Sequence, residues 1–256
     1  MTAPLFLVAP GTLAGVAVGE VVAVEGAEAR HAVAVVRMRV GESLYVGDGA
    51  GVRVLGEVVR TDPRRLDVRV TEVANAPAYR HEFVLVQGLA KGDRDEQAVE
   101  MATELGVDIV IPWQAERCVS QWRADKAVRG RAKWESVVAS ATKQSRRWWT
   151  PQVRPLATTD EVCRVIASAD LTLVLHEDAS DGLTSRPMPE AGRIIVVVGP
   201  EGGISGGEVT RLTAAGGTPV RLGMEVLRTS SAGPAALAVL ASRLRWGAGP
   251  VGPSLG

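Results

Sequence analysis

Residues 194–208 read IIVVVGPEGGISGGE. The first five are β-branched, and a run with no polar face makes a strand buried on both sides, as in a parallel sheet. Ser205 and Glu208 have the spacing of a capping box, so a helix begins there. Between strand and helix, Gly199, Gly202 and Gly203 remove three β-carbons from the turn, which lets a ligand approach the main chain. In open α/β sheets, ligands sit beyond the carboxyl ends of the strands, where this turn falls.

The turn does not read as a phosphate loop. The last lysine of the chain is Lys143, and the glycines lack the order of a dinucleotide fingerprint. The one literal G-x-G-x-x-G, at residues 247–252, lies in a Pro/Gly-rich tail with no helix to follow. Bare backbone without cations suits a nucleoside-like ligand that carries no phosphates, such as S-adenosylmethionine. A second loop of the same type runs from a strand through Leu222, Gly223, Leu227 and Arg228 to the hydroxyls Thr229, Ser230 and Ser231. These hydroxyls can cap the alanine-rich helix that follows and leave donors facing a ligand. Two ordinary strand-to-helix turns are the plainer reading of the same residues.

The chain has 256 residues, 46% of them hydrophobic, enough to bury one large core or two modest ones. The amino terminus has no positive side chain before Arg30 and is broken by Pro4 and Pro10. It therefore matches neither a signal peptide nor a membrane span, and a cytoplasmic location is expected. Cys118, Cys163, His31, His81 and His176 are scattered, so neither a disulfide framework nor a metal site is expected. Net charge is zero, but residues 117–154 hold ten basic side chains against Asp125 and Glu135, with Trp113, Trp122, Trp134, Trp148 and Trp149 in or beside them. Cations interleaved with aromatics suit RNA phosphates and unstacked bases. A solvated helix whose tryptophans turn inward uses the same pattern.

Short apolar runs at 19–24, 43–46, 52–59 and 66–73, with turn signals at Gly47-Asp48-Gly49 and Asp62-Pro63, predict a small, mostly antiparallel β-barrel over residues 1–74. A short helix is expected at 31–38, and residues 75–82 read as a linker. From 83 to 246, strand-like runs (83–89, 108–111, 171–175, 193–198, 219–222) alternate with helix-like ones (93–105, 129–146, 159–168, 205–215, 231–245). This is an α/β domain with a parallel sheet. Residues 247–256 read as a flexible tail.

The ordered set of motifs resembles the SPOUT superfamily of methyltransferases and, within it, the 16S ribosomal RNA uridine-N3 methyltransferase family. GPEGG at 199–203 and LGxxxLRT at 222–229 look like that family's two cofactor loops. KGDRxE at 91–96, ATELGV at 102–107, ERC at 116–118, Lys133-Trp134, Gln144-Ser145 with Pro151, and RHAVAVVRMRVGE at 30–42, with His31, Arg37 and Gly41, resemble its other signatures. The resemblance implies a PUA-like RNA-binding barrel joined to a SPOUT α/β domain whose last segments thread a deep trefoil knot. It also implies a homodimer that binds S-adenosylmethionine, needs no metal, and methylates a uridine of 16S rRNA in the small ribosomal subunit. Three positions depart from the family's usual pattern: Ser230 and Ser231 replace a Glu-Thr pair, Met101 stands for a common lysine, and Arg146 for a common glycine.

On this reading the cofactor lies against Gly199, Glu201, Gly202, Gly203, Leu222, Gly223, Leu227, Thr229 and Ser231, with Leu175 and His176 at a strand end beside it. A capped strand end explains His176 and Glu177 equally well. Methyl transfer is an in-line displacement, so positioning the acceptor dominates catalysis. The uridine imide proton must be removed or displaced first. Arg228 is expected to stabilise the resulting anion, and Glu201 either acts as base or fixes its loop through backbone hydrogen bonds. Arg37, Arg117 and Arg147 are expected to contact the RNA backbone. A ribose 2′-hydroxyl acceptor, or a catalytically silent RNA-binding protein, are the alternatives.

Overall fold

The structure is a computed structural model that describes residues 3–76 and 79–246; the expected tail at 247–256 and the linker residues Pro77 and Ala78 lie outside the described residues. The chain divides into two compact units. The first contains strands β1 (Leu5–Leu7), β2 (Val21–Glu25), β3 (Ser43–Gly47), β4 (Val52–Asp62) and β5 (Arg65–Asn75), in the order β1-β3-β4-β5-β2. Every pairing is antiparallel except β1 with β3. The period-two apolar positions point to one core: Leu44 and Val46, Val54 and Val58, Leu66, Val68 and Val70, Val22 and Val24. Phe6 of β1 joins the same cluster as Val22 and Val24 of β2, so the two edge strands meet in one core and the sheet curls around it.

Asp48 makes the first hairpin, with its Oδ1 accepting the amides of Ala50 at 2.8 Å and Val52 at 3.0 Å. The helix expected at 31–38 starts earlier. It begins as α1 (Gly26–Arg30), runs on as a π-helical turn over His31–Val36, and stops at Arg37, whose φ is 62°. β1 escaped the sequence because three residues are too few to show alternation.

The expected domain limits need two corrections. β5 reaches Asn75 and the next strand begins at His81, which shortens the linker at both ends. Thr142–Thr150, expected within the α/β domain, instead packs with the barrel strands. Trp149 bridges Ala50, the Thr150 amide donates to the Gly49 carbonyl at 2.9 Å, and Lys143 pairs with Glu28 at 2.6 Å. A β-carbon on Gly51 would lie 2.5 Å from the Trp149 ring, so the docking requires glycine there.

The second unit holds β6 (His81–Gly88), β7 (Ile109–Trp113), β8 (Gln152–Val153), β9 (Leu171–Leu175), β10 (Gly192–Val198) and β11 (Thr218–Val220). All pair in parallel, in the order β11-β9-β10-β6-β7-β8. The β-branched run of β10 is central, with Ile194 to Val197 fully buried. Helices α2 (Arg94–Glu104), α3 (Asp125–Gln144), α4 (Thr159–Ile166), α5 (Gly206–Ala214) and α6 (Thr229–Leu244) complete the unit, although α3 passes its last residues to the first. Capping boxes start α4 at Thr158/Glu161 and α5 at Ser205/Glu208. After β11 at the sheet edge, α6 returns to pack on β10, β6 and α2.

A candidate cofactor cleft

Because the strands are parallel, β9, β10 and β11 end on one edge of the sheet, and there they open into a cleft of about 740 Å³. Small-molecule sites occupy roughly 300–1,000 Å³. Of the expected cofactor residues, Leu175, His176, Gly199, Glu201, Gly202, Gly203, Leu222, Gly223, Leu227 and Thr229 line the cleft, together with Arg228. Ser231 does not; its amide bonds the Arg228 carbonyl at 2.9 Å within the first turn of α6.

The turn after β10 is closely packed at its first glycine and against the end of β6. A β-carbon on Gly199 would meet Ile204 at 2.7 Å, and one on Gly88 would meet the Pro200 nitrogen at 2.7 Å. Gly203 has φ 72° and donates its amide to the Pro200 carbonyl at 2.9 Å. Glu208 is fully buried and secures the turn from behind. It accepts the Ser205 amide at 3.1 Å, the Glu116 amide at 2.9 Å and the Thr159 hydroxyl at 2.9 Å. These three donors satisfy a carboxylate that burial would otherwise leave without hydrogen-bond partners.

Thr229 does not cap α6 as expected. Its hydroxyl donates to the Gly199 carbonyl at 2.8 Å and accepts from Gln87 Nε2 at 2.9 Å, and no side chain caps the helix. Thr229 thus joins the two turns to β6, while the first turn of α6, which meets the cleft at Thr229 and Ala232, carries no side-chain cap. Among the described residues, the amides of Leu222 through Arg228 donate to no acceptor in the protein. Bare glycine positions, uncommitted amides and this volume fit a nucleoside-like ligand.

The fold also gathers cations that the turn itself lacks: Arg94, Arg117, Arg221 and Arg228 line the cleft, alongside Glu177, Asp178, Glu201 and Glu225. Glu201 accepts the Lys91 amide and Arg94 Nη1, each at 2.9 Å. Burial would raise its pKa, but the amides of Lys91 and Glu201 itself, with the Arg94 guanidinium, outweigh it and hold the carboxyl below its ordinary value. Such a group is a weak base, and of the two sequence readings the geometry favours the one in which Glu201 fixes its loop. Arg228 is exposed and, among the described residues, its guanidinium has no partner. His176 takes the Asp178 amide on Nδ1 at 3.2 Å, which orders the end of β9.

Arg117 lies against the cofactor turn, with Nη1 donating to the Gly202 carbonyl at 3.1 Å, whereas Arg37 and Arg147 belong to the first unit. The tryptophans are packing residues. Trp113, Trp122 and Trp134 are in the core of the second unit, and Trp148 and Trp149 dock on the barrel beneath Arg53 and against Gly51. Sequence reading also passed over Gln87 and Gly88. A glutamine inside the otherwise apolar run FVLVQG was the available signal. Among the described residues no cluster of side chains is suited to a metal ion, and burial pushes the Cys118 thiol up to about 11, leaving it neutral. No described helix is long and apolar enough to cross a membrane.

A family model described as an RNA methyltransferase domain matches residues 78–241, and one described as an RNA methyltransferase PUA domain matches residues 24–71. A parallel sheet with a backbone-lined cleft at its carboxyl edge, joined to a small curled sheet, thus defines an RNA methyltransferase. The ribosomal RNA small subunit methyltransferase E of Mycobacterium bovis is 41% identical over 235 residues, covering 90% of either chain. The protein of the same name from Bacillus subtilis is 30% identical over 217 residues, covering 82% of this chain and 85% of that one. This chain belongs to the ribosomal RNA small subunit methyltransferase E family. Among solved structures, a Legionella pneumophila methyltransferase in complex with bound SAM superposes with a TM-score of 0.85 at 27% identity, covering 95% of this chain and 98% of that one. A Neisseria gonorrhoeae ribosomal RNA small subunit methyltransferase E bound to S-adenosyl methionine gives 0.83 at 26% identity, covering 94% and 98%.

Proposed function

We propose that this chain transfers the methyl group of S-adenosylmethionine to N3 of a uridine in the 16S rRNA of the small ribosomal subunit, as a cytoplasmic homodimer without a metal. The observation that carries this reading is the cleft in which Thr229 ties both turns together beside Arg228, whose guanidinium has no partner among the described residues. The names of the relatives and the SAM bound by two structural neighbours support it. Bound in the cleft, S-adenosylmethionine supplies an electrophilic methyl group. Gly199, Gly202, Gly203 and Gly223 let the main chain meet the adenosine, and Leu175, Leu222 and Leu227 offer apolar surface. Arg228 would stabilise the negative charge on the acceptor as the N3 proton passes to solvent water and N3 bonds the methyl carbon, with the methyl–sulfur bond breaking and the neutral thioether as leaving group. Glu201 keeps the turn in place.

In this reading residues 1–74, with Thr142–Thr150, bind RNA, and the remainder of residues 83–246 forms the catalytic domain, whose carboxyl-terminal segments thread a trefoil knot. The return of α6 from the sheet edge to β10, starting beside Gly199, supports the threading. Incubation with methyl-labelled S-adenosylmethionine and unmodified small subunits or naked rRNA, followed by nucleoside analysis, is expected to yield 3-methyluridine. Label on a ribose 2′-oxygen would move the acceptor. Neither label nor cofactor binding would leave a silent RNA-binding protein.

A further inference from the structure

The carboxyl end of α3 is a Schellman motif: the Arg147 amide donates to the Thr142 carbonyl at 3.0 Å and the Arg146 amide to the Lys143 carbonyl at 3.2 Å. This closure puts the residue after the cap in the left-handed region, where glycine is the comfortable occupant. Here that residue is Arg146, at φ 55°. A β-carbon is penalised in this conformation, so the surrounding structure must hold it.

Arg53 does so from below. It sits on β4, only 4% exposed, with its guanidinium over the Trp148 ring at 4.2 Å. Its Nη2 donates to the carbonyls of both Arg146 and Arg147, at 2.9 and 3.1 Å. Two successive carbonyls on one guanidinium fix the peptide planes on either side of Arg147, and with them the direction in which Arg146 leaves the chain. The Arg146 side chain is exposed and, among the described residues, has no partner. Lys143, one turn earlier, is already committed to Glu28. The protein therefore keeps a cation in a strained position, above a second and buried cation that repels it, where glycine would serve the fold better.

We propose that Arg146 is a backbone-phosphate contact for RNA and that Arg53 is the positioning residue that presents it. A guanidinium suits the task, because its planar fork matches two phosphate oxygens and it is always charged. The proposal rests on the ribosomal RNA substrate reading.

The test is binding to small ribosomal subunits purified from a strain lacking the gene, measured over a range of salt concentrations. Arg146→Gly is expected to fold with an equal or higher Tm, to bind S-adenosylmethionine as before, and to bind subunits roughly three- to tenfold more weakly. The slope of log affinity against log salt should become shallower by about 0.7–0.9, the signature of one lost phosphate contact. Arg53→Met is expected to show the same weakening alone and to add nothing to Arg146→Gly. If Arg53→Met does not fold, Arg53→Lys takes its place, since an ammonium keeps the charge without the planar fork. Wild-type affinity and salt slope in Arg146→Gly would overturn the proposal for Arg146. Full additivity of the two substitutions would overturn it for Arg53. Failure of the unaltered protein to bind subunits or rRNA at all would instead remove the substrate reading beneath both.

Discussion

The hydroxyl of Thr229 donates to the carbonyl of Gly199 at 2.8 Å, joining turns that lie thirty residues apart in the chain. The same oxygen accepts from Gln87 Nε2, which is fully buried. Thr229→Val keeps the shape of the side chain and removes the hydroxyl, so Gln87 Nε2 keeps only its bond to the Gly88 carbonyl at 3.2 Å and the Gly199 carbonyl loses the Thr229 donor. The expected loss is about 1–3 kcal/mol of stability. Cofactor affinity should fall as well, because the relative placement of the two turns is no longer held. Urea unfolding and calorimetry with S-adenosylmethionine measure the two effects, and a variant unchanged in affinity would show that the turns do not need the link.

Gly203 has φ 72°, and its β-carbon direction meets nothing nearer than Arg117 Nη1 at 3.9 Å. Gly203→Val therefore fits sterically within the protein but is strained by about 1–2 kcal/mol and adds a side chain to the lining of the cleft. Loss of detectable cofactor binding in a protein with a native circular dichroism spectrum and native oligomeric state is the expected result.

Arg228 and Glu201 line one cleft and differ in what holds them, so their substitutions should separate. Arg228→Gln is expected to lower kcat about 10²–10³-fold with little change in cofactor affinity, the pattern for lost transition-state charge stabilisation. Glu201→Gln should weaken cofactor binding and spare most of kcat. Glu201 is held below the ordinary glutamate value, so any rise of kcat with pH near neutrality belongs to another group and should persist in Glu201→Gln. Loss of that rise would restore Glu201 as the base.

Asp95, 4% exposed in the first turn of α2, is pushed up to about 6 by burial, against the opposing pull of the Ala90 and Glu96 amides. Its folded-state value lies above the unfolded one, so between roughly pH 4 and pH 6 the folded protein binds more protons and stability falls as pH rises. The full effect is about 3 kcal/mol at 1.36 per unit, complete above the folded value. Urea midpoints measured at pH 4.5 and pH 7 should differ less in Asp95→Asn than in the unaltered chain.

Periodicity placed most of the strands and helices, because a buried β-branched strand such as β10 and a capping box such as Ser205/Glu208 are local patterns. It missed β8, whose two residues hold no pattern, and it read Thr229 as a helix cap. Threonine at a helix start is usually a cap, but its hydroxyl takes one geometry at a time, and a carbonyl brought close by the sheet won. The tryptophans were open to two readings for the same reason. Composition can count aromatics near cations but not say which way they face, and here they face inward or onto the barrel. Arg146 differs from the glycine common in the family it resembles, and only the φ of 55° shows why glycine suits that position.

Side-chain chemistry along the chain was enough to specify an α/β sheet and two glycine turns at strand ends, since each depends on neighbours within a few residues. Long-range contact decided how these groups are held: Glu201 restrained by Arg94, Thr229 spanning two turns, Arg53 gripping the end of α3. These pairings depend on which surfaces the sheet and core bring within 3 Å of one another, and that proximity exists only after the apolar residues have been buried.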